Sequence, residues 1–381
     1  MTANPFDVLV IGEGLSGITA AAAAARQGAR VMLATSGPGT FVLGTAAIDL
    51  DGLEAADLGL AGYGAEELRE AVEFFVELTD SAGCAYSGNP RERRWIPTVM
   101  GTFQEVSLAP TSLWQADPRS LSHAVVAGIE SLPGFDASFV AERLAFHSQQ
   151  LGLSTAYRGV TVKLPAEHER ALTTVEIASR LDRDPAYRSS LIAALQPVIG
   201  DATLLILPGM LGMKSGDDDL RRFEQDIGCL ICELATMPPS VPGLRLLYRL
   251  ERYLTSQGVE LCTGFAVQEL CREGDRCTGV VLDTPGRPRR IYADSVVLAC
   301  GRFSQLLQDH TSLTNPAGPI TRLNQELQPV NPQGLIMATN VFGCGSVGGN
   351  FAARHGNAIA ILTGYQAATL ASQPGVHYAT R

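Results

Sequence analysis

The chain has 381 residues, with 39 acidic against 29 basic side chains and a formal net charge of −10. Hydrophobic residues make up 46% and charged residues 18%, a composition that fills a large core and excludes a disordered chain. The acidic balance argues against general nucleic-acid binding, which needs many phosphate-neutralising Lys and Arg, but leaves room for a local arginine pocket facing a small phosphorylated substrate.

Length predicts about two domains at ~150 residues each. The start, MTANPFDVLV, has no basic stretch before its apolar run, so no secretory signal is read there. Residues 7–11 read as a buried parallel strand, Leu15 to Gln27 as a helix stopped by Gly28, and Arg30 to Thr35 as a second strand. Together they form a βαβ unit of about 30 residues. The alanine run Ala20 to Ala25 inside that helix falls far below the ~20 apolar residues of a membrane span. The expectation is a cytoplasmic chain with no direct span, brought to the inner membrane by partners if it works there.

Glu66 to Thr79 has a helical pattern, followed by loops at Pro90, Pro97, Pro110 and Pro118 and by helical stretches near 138–150 and 174–194. ATLLILPGM (202–210) reads as a strand entering a turn, and CLICELA (229–235) as part of a helix. From Pro242 the α/β character returns: a helix over Leu244 to Gln257, the strand VELCTG, and a β-meander with turns at Gly274–Asp275 and Pro285–Gly286. A buried strand, Ser295 to Ala299, and a tail of strand, glycine-rich loop and apolar helix complete the chain. The fold class expected is α/β: a discontinuous Rossmann-like flavin-binding domain, 1–62 and 242–381, with an inserted α+β substrate or interaction domain, 63–241.

Gly12, Gly14 and Gly17 spell G-x-G-x-x-G between strand and helix. The first glycine permits a tight turn, the second lets a pyrophosphate approach the backbone, and the third allows close helix–strand contact. The free N–H groups and dipole of the helix then face the phosphates. The segment Gly12, Glu13, Gly14, Leu15, Ser16, Gly17 is therefore expected to bind a cofactor. The second strand should end in an acid that holds a ribose hydroxyl, yet Ala34, Thr35 and Ser36 stand there. That disfavours a standard NAD site, and the lack of a following arginine disfavours NADP. The small residues of SGPGTFVLGTAAIDL, including Thr45, Ala46 and Ala47, suit a flat ring system. Gly345 and Ser346 in GCGSVGG (343–349), and the helix start at Gly356–Asn357, offer a second positive terminus for a reduced ring. The three segments favour a flavin, FAD or FMN.

Three stretches, VLVIGEGLSGITAA, RRIYADSVVLACGRF and NVFGCGSVGGNFAARHGNAIA, resemble the cofactor segments of two-domain flavin oxidoreductases of the fumarate reductase and glycerol-3-phosphate dehydrogenase type. The resemblance adds Gly301 to the cofactor contacts. More narrowly, GPGTFVLGTAAIDL, WIPTVMGTFQEVSLAP, LLILPGMLGM and CELATMPPSVPGLRLLYRLERYL resemble the family of B subunits of anaerobic glycerol-3-phosphate dehydrogenase, with TMPPSVPGLRL (236–246) the most specific part. That family implies a flavin-bearing subunit paired with a catalytic flavoprotein subunit and an iron–sulfur membrane-anchor subunit. It implies oxidation of sn-glycerol 3-phosphate to dihydroxyacetone phosphate, with electrons passed to a quinone. Two departures stand out: the missing acid after the second strand, and Ser346 where many flavoproteins carry Asp. They leave a structural partner without tight flavin, or a standalone flavin dehydrogenase of another small hydroxy or keto acid, as alternatives.

Other chemistry is weaker. Cys229 and Cys232 form C-x-x-C, but no second pair exists and no metal site is expected; free cysteines commonly pack as small hydrophobes. The eight cysteines, seven of them after Gly200, fit reduced thiols. His355, just before Gly356, is the one catalytic candidate, with a solvated loop histidine as the plain alternative. Arg91–Arg93–Arg94 and Arg221–Arg222 suit a phosphate, but ordinary surface ion pairs explain them better.

Overall fold

The computed structural model describes residues 6–51, 63–164, 171–234, 239–301, 322–348 and 353–373. Part of the most specific family run, Thr236 to Pro238, and Gly349 of the glycine-rich loop lie outside the described residues. The chain divides into two compact units, one formed by 1–40, 50–78 and 250–381, the other by 41–49 and 79–249.

In chain order, β1 (Phe6–Glu13) is followed by α1 (Leu15–Arg26) and β2 (Val31–Pro38). Gly28, at φ +85°, reverses the chain where α1 ends. After α2 (Ala65–Ser81) come four short strands, β3 (Tyr86–Gly88), β4 (Arg94–Pro97), β5 (Phe103–Val106) and β6 (Leu108–Pro110). These take in two of the four prolines read as loops, Pro97 and Pro110. They pair as β3–β6 and β4–β5 ribbons, with Pro97 and Pro110 at strand ends where no ladder donor is lost. Next stand α3 (Thr111–Trp114), β7 (His123–Ile129), α4 (Ala137–Gln150) and β8 (Ala156–Val162). The helical stretch expected near 174–194 is two helices, α5 (Thr174–Leu181) and α6 (Pro185–Ile199). Asp184 divides them: its side chain caps Ala186 N and Tyr187 N, and Pro185 fills the first helical position.

β9 (Leu204–Pro208), α7 (Asp217–Ile227), β10 (Leu230–Leu234) and α8 (Val241–Ser256) follow. The Leu230–Leu234 part of this stretch is thus a strand rather than part of a helix, with Cys229 just before it. Its β-branched and apolar residues complete a parallel sheet, and that tertiary pairing overrides the helical reading. The remainder is β11 (Glu260–Thr263), β12 (Val267–Glu273), β13 (Arg276–Leu282), β14 (Arg289–Leu298), β15 (Arg322–Leu323), β16 (Pro329–Val330), β17 (Val341–Gly343) and α9 (Gly356–Ala371).

The first unit is built on a seven-stranded sheet in the order β11-β2-β1-β14-β13-β12, with β17 also on β14. β11, β2, β1, β14 and β17 run parallel, and β12–β13–β14 is the antiparallel meander. β14 carries both roles. Its first half pairs with β13, while Val296 to Leu298 pair with Val341 to Gly343. Leu9, Ile11, Met32, Val296 and Leu298 form part of the core of this sheet. Only small side chains allow α1 and α9 to pack closely, and Ala20 to Ala24 of α1 are all buried.

The second unit has its own four-stranded parallel sheet, β10-β9-β7-β8, beside the two ribbons. β7 and β9 are nearly all apolar, as strands covered on both faces require, and Val125, Val126, Leu204 to Leu207 and Ile231 are core residues, while the edge strand β8 is largely exposed or half-buried. One charged group is locked into this core. Glu233 on β10 is 0% exposed, and its carboxylate meets the Arg245 guanidinium at 2.6 and 3.0 Å. Glu233 Oε1 also accepts from Met210 N and Leu211 N, and Arg245 Nε donates to Gly212 O. The pair therefore shapes the PGMLGM turn after β9. Arg245 and the backbone donors hold the Glu233 carboxyl below the usual carboxylate range against its burial.

Removing one member of such a pair strands the other. Glu233→Ala is expected to lower unfolding stability by about 3–5 kcal/mol, read by denaturant titration of the full chain. A loss no larger than that of an exposed carboxylate would show that the turn does not depend on the pair.

Candidate cofactor site

The strands β1, β14 and β17 end at one edge of the first sheet, and the site grows from the turns that leave them. Gly12 has φ +107°, and a Cβ there would lie 2.5 Å from Ala299 O. A Cβ on Gly17 would lie 1.9 Å from Gly12 O. These two glycines let α1 start directly against β14. Gly14 differs: a Cβ there meets nothing within 4 Å. It is the N-cap of α1 and no side chain caps the helix. The N-terminus of α1 is open on the side where a phosphate would be held.

Ser16, 5% exposed, ties the remaining segments to this turn. A Cβ on Gly345, at φ +62°, would lie 2.6 Å from Ser16 Oγ, and one on Gly364 of α9 would lie 2.3 Å from Ser16 O. Gly345 N donates to Thr363 Oγ1 at 2.8 Å, and Cys344 N donates to Leu298 O at 2.9 Å. Gly301, at φ +73°, faces Ser346: its Cβ would lie 3.8 Å from Ser346 Oγ. Gly12, Gly14, Ser16, Gly17, Gly301, Gly345 and Ser346, scattered over more than 330 residues of sequence, are thus brought together. Leu15 is buried beside them. Gly356 is the first residue of α9 and is exposed; Asn357, partly buried, follows.

The other expected contacts are placed differently. Thr35 is 5% exposed, but its hydroxyl serves its own turn, donating to Gly37 O at 2.6 Å and accepting from Gly37 N at 3.1 Å. Ser36 is exposed. Thr45, Ala46 and Ala47 belong to the second unit. There Ala46 is held at φ 54°, with Tyr86 Oη donating to its carbonyl at 2.9 Å. A side chain other than glycine in that region signals a constrained backbone.

His355 is not a solvated loop residue. It is buried at 9% exposure, stands at the N-cap of α9, and its Nε2 meets no hydrogen-bond partner among the described residues. The cysteine pair is inert by geometry. Cys229 lies in the bend before β10 and Cys232 within the strand, both thiols are buried and free, and burial pushes both upward in pKa. Among the described residues no cluster of His, Cys, Asp and Glu is arranged to hold a metal. Arg93 pairs with the exposed Glu105 and with the buried Asp49, and Arg221 pairs with Asp218 on the surface. Arg221 and Arg222 also line a cleft of about 660 Å³ within the second unit, together with Thr111, Ser112, Gln115 and Arg249.

One residue pair was not legible from the motif. Glu13, 5% exposed within the glycine turn, faces Glu251 of α8. Burial first, and then the hydrogen bond and charge of Glu251, raise the Glu13 carboxyl from 4.5 to about 8. Glu251 carries no sequence signal, being one charge on an amphipathic helix; Glu13 does, as an acid inside a phosphate-binding turn.

The FAD binding domain family model matches residues 7–55 and 238–321, the two stretches that build this turn, β14 and α8. The chain is a flavin-linked oxidoreductase, and its cofactor is FAD. A probable B subunit of anaerobic glycerol-3-phosphate dehydrogenase from Halobacterium salinarum is 27% identical over 96% of this chain and 98% of its own length. The B subunit of the anaerobic glycerol-3-phosphate dehydrogenase from Pectobacterium atrosepticum is 28% identical over 63% of this chain and 62% of its own. The chain is a relative of these B subunits. A solved 3-ketosteroid delta1-dehydrogenase from Sterolibacterium denitrificans aligns with TM-score 0.36 and 18% identity over 79% of this chain and 48% of its own. Among the described residues no helix is long and apolar enough to cross a membrane.

The residues present fit FAD. The uncapped α1 terminus and open Gly14 suit the pyrophosphate, and Gly301, Gly345 and Ser346 line the adjoining edge. A protonated Glu13 adds no charge against the phosphates. The native chain keeps a proton on Glu13 that the unfolded chain releases above about 4.5. Its contribution to stability is therefore complete below that value and is lost as pH rises through about 8. Thermal unfolding of the full chain is expected to shift downward across that window, and Glu13→Gln to flatten the slope; an equal slope in the variant would contradict the protonated carboxyl.

Proposed function

We propose that the chain serves as the flavin-bearing B-type subunit of a quinone-linked dehydrogenase that converts sn-glycerol 3-phosphate to dihydroxyacetone phosphate. The observation that carries this reading is the match to the Halobacterium protein, which extends through 96% of this chain and 98% of that one. It spans both units rather than the cofactor segments alone. The convergence of the glycine turn with Gly301, Gly345 and Ser346 supports a bound flavin at its centre.

In this reading bound FAD would supply two-electron redox chemistry for oxidising the C2 alcohol, held at the α1 terminus beside Gly301, Gly345 and Ser346. The chain's own residues hold and shape the cofactor. The α1 terminus would bind the phosphates, Gly12 and Gly17 let that helix start directly against β14, and the positive end of α9 would stabilise charge developing on the ring. His355, buried at that terminus with its Nε2 unpartnered among the described residues, is the candidate to exchange a proton there. Partner subunits, a catalytic flavoprotein and an iron–sulfur membrane anchor, complete electron transfer to the quinone.

The decisive experiment mixes the purified, FAD-loaded full chain with glycerol 3-phosphate anaerobically, alone and after co-expression with the neighbouring subunits. Bleaching of the flavin band in the assembled complex, and slow or no bleaching by the chain alone, is the expected result. No bleaching in either form, with bleaching by another small hydroxy acid, would overturn the substrate assignment. His355→Ala is expected to slow bleaching by about 10²-fold or more while leaving FAD content unchanged.

A further inference from the structure

The second unit has a cleft of its own, of about 660 Å³, lined by residues between Asp80 and Arg249. Ile231 and Glu233 of the edge strand β10 form part of its lining, and Arg249 of α8 stands in its wall. The guanidinium sits in a slot that two glycines leave. A Cβ on Gly83, at φ +69°, would lie 2.3 Å from Arg249 Nη2, and one on Gly216 would lie 3.3 Å from Arg249 Cζ. Arg249 Nε donates to Ala82 O at 2.7 Å, which fixes the plane of the group. Among the described residues its two Nη atoms have no hydrogen-bond or ion-pair partner.

Two more polar side chains reach the same space uncommitted. α3 is anchored on its other side: Thr111 N and Oγ1 both donate to Ala85 O, at 3.0 and 2.9 Å, and Leu113 and Trp114 are buried. Ser112 and Gln115, three apart in sequence and so neighbours on one face, line the cleft. Neither side chain has a hydrogen-bond partner among the described residues. The acids of the lining are engaged elsewhere. Asp217 accepts from Ala85 N at 2.8 Å, Asp219 from Gly216 N at 2.9 Å and Glu224 from Ile231 N at 3.0 Å. Asp218 pairs with Arg221, and Glu233 with Arg245. Arg249 thus stands among acids and pairs with none of them, which leaves its fork to a ligand.

We propose that this cleft is a binding site for a small hydroxylated oxyanion, a carboxylate or a phosphate monoester, with the anionic end on Arg249 and the hydroxyls on Ser112 and Gln115. A planar guanidinium with both Nη groups open matches two oxygens of such a headgroup. Ser112 and Gln115 each offer a donor and an acceptor to a hydroxyl. Size and charge follow from the same lining. A cleft of this volume encloses a small ligand. The carboxylates around it remain charged although engaged, and they oppose ligands with several charges, nucleotides and polyphosphates among them. The site is built by the second unit alone, and it depends neither on FAD at the glycine turn nor on the reaction assigned above.

The test is calorimetric titration of the purified full-length chain with three probes: sn-glycerol 3-phosphate, glycerate and glycerol. Both anions are expected to bind, and glycerol, which lacks the charged end, is not. The tighter of the two anions identifies the headgroup that the fork prefers. Arg249→Gln is expected to weaken anion binding about tenfold or more, as the loss of hydrogen bonds to a charged group does, with FAD content unchanged. Arg249→Lys, which keeps the charge without the fork, is expected to weaken it as well. Gln115→Leu, on a different element, is expected to weaken it about threefold to tenfold and is the deciding variant if the Arg249 variants do not fold. Anions that bind no better than glycerol, or anion binding unchanged in Arg249→Gln, overturn the site and leave the dehydrogenase reading intact. That reading is judged separately by flavin bleaching, and its failure leaves the calorimetric result standing.

Discussion

The cofactor unit depends on how closely its backbone segments approach at the start of α1. A methyl group on Gly17 would sit 1.9 Å from Gly12 O, one on Gly12 would sit 2.5 Å from Ala299 O, and one on Gly364 would sit 2.3 Å from Ser16 O. No side chain can be accommodated at any of these points without moving backbone. Because α1 is seated that deeply, the turns after β1, β14 and β17 meet around Ser16, and α9 packs on the same helix. The chemistry at the site follows from this contact: an α1 N-cap, Gly14, without a side-chain cap, a constrained Gly345, and Ser346 facing Gly301.

Burying acids in such a fold raises the same electrostatic difficulty twice, and the two units resolve it differently. In the second unit, Glu233 stays ionised because Arg245 and two backbone N–H groups surround it. In the first, burial and then the neighbouring Glu251 raise the Glu13 carboxyl to about 8, so it stays protonated near neutral pH. The first solution fixes a turn at any ordinary pH. The second holds only while the proton remains, in a window that includes physiological pH.

The βαβ opening, the meander, and the strand, loop and helix of the tail were legible because each carries a strong local rule: a glycine fingerprint, turn residues between alternating runs, or a long apolar helix. Cys229 to Leu234 was not, since a short apolar run bounded by glycine serves as strand or helix until its neighbours are known. Pro97 and Pro110 concealed edge ribbons for a related reason. At the site, the residues within 12–17 announced themselves by spacing, and Gly301 through family resemblance. The burial of His355, the self-satisfied hydroxyl of Thr35 and the partnership of Glu13 with Glu251 arise only when distant segments pack, and no periodicity encodes them.

The central claim is that this turn holds FAD. Mass spectrometry of the small molecule released on denaturing the purified full-length chain tests it most directly, with Gly17→Val as the variant in which α1 cannot seat. The account predicts FAD from the native chain and none from the variant. FMN, or no flavin from the native chain even after reconstitution, would contradict it.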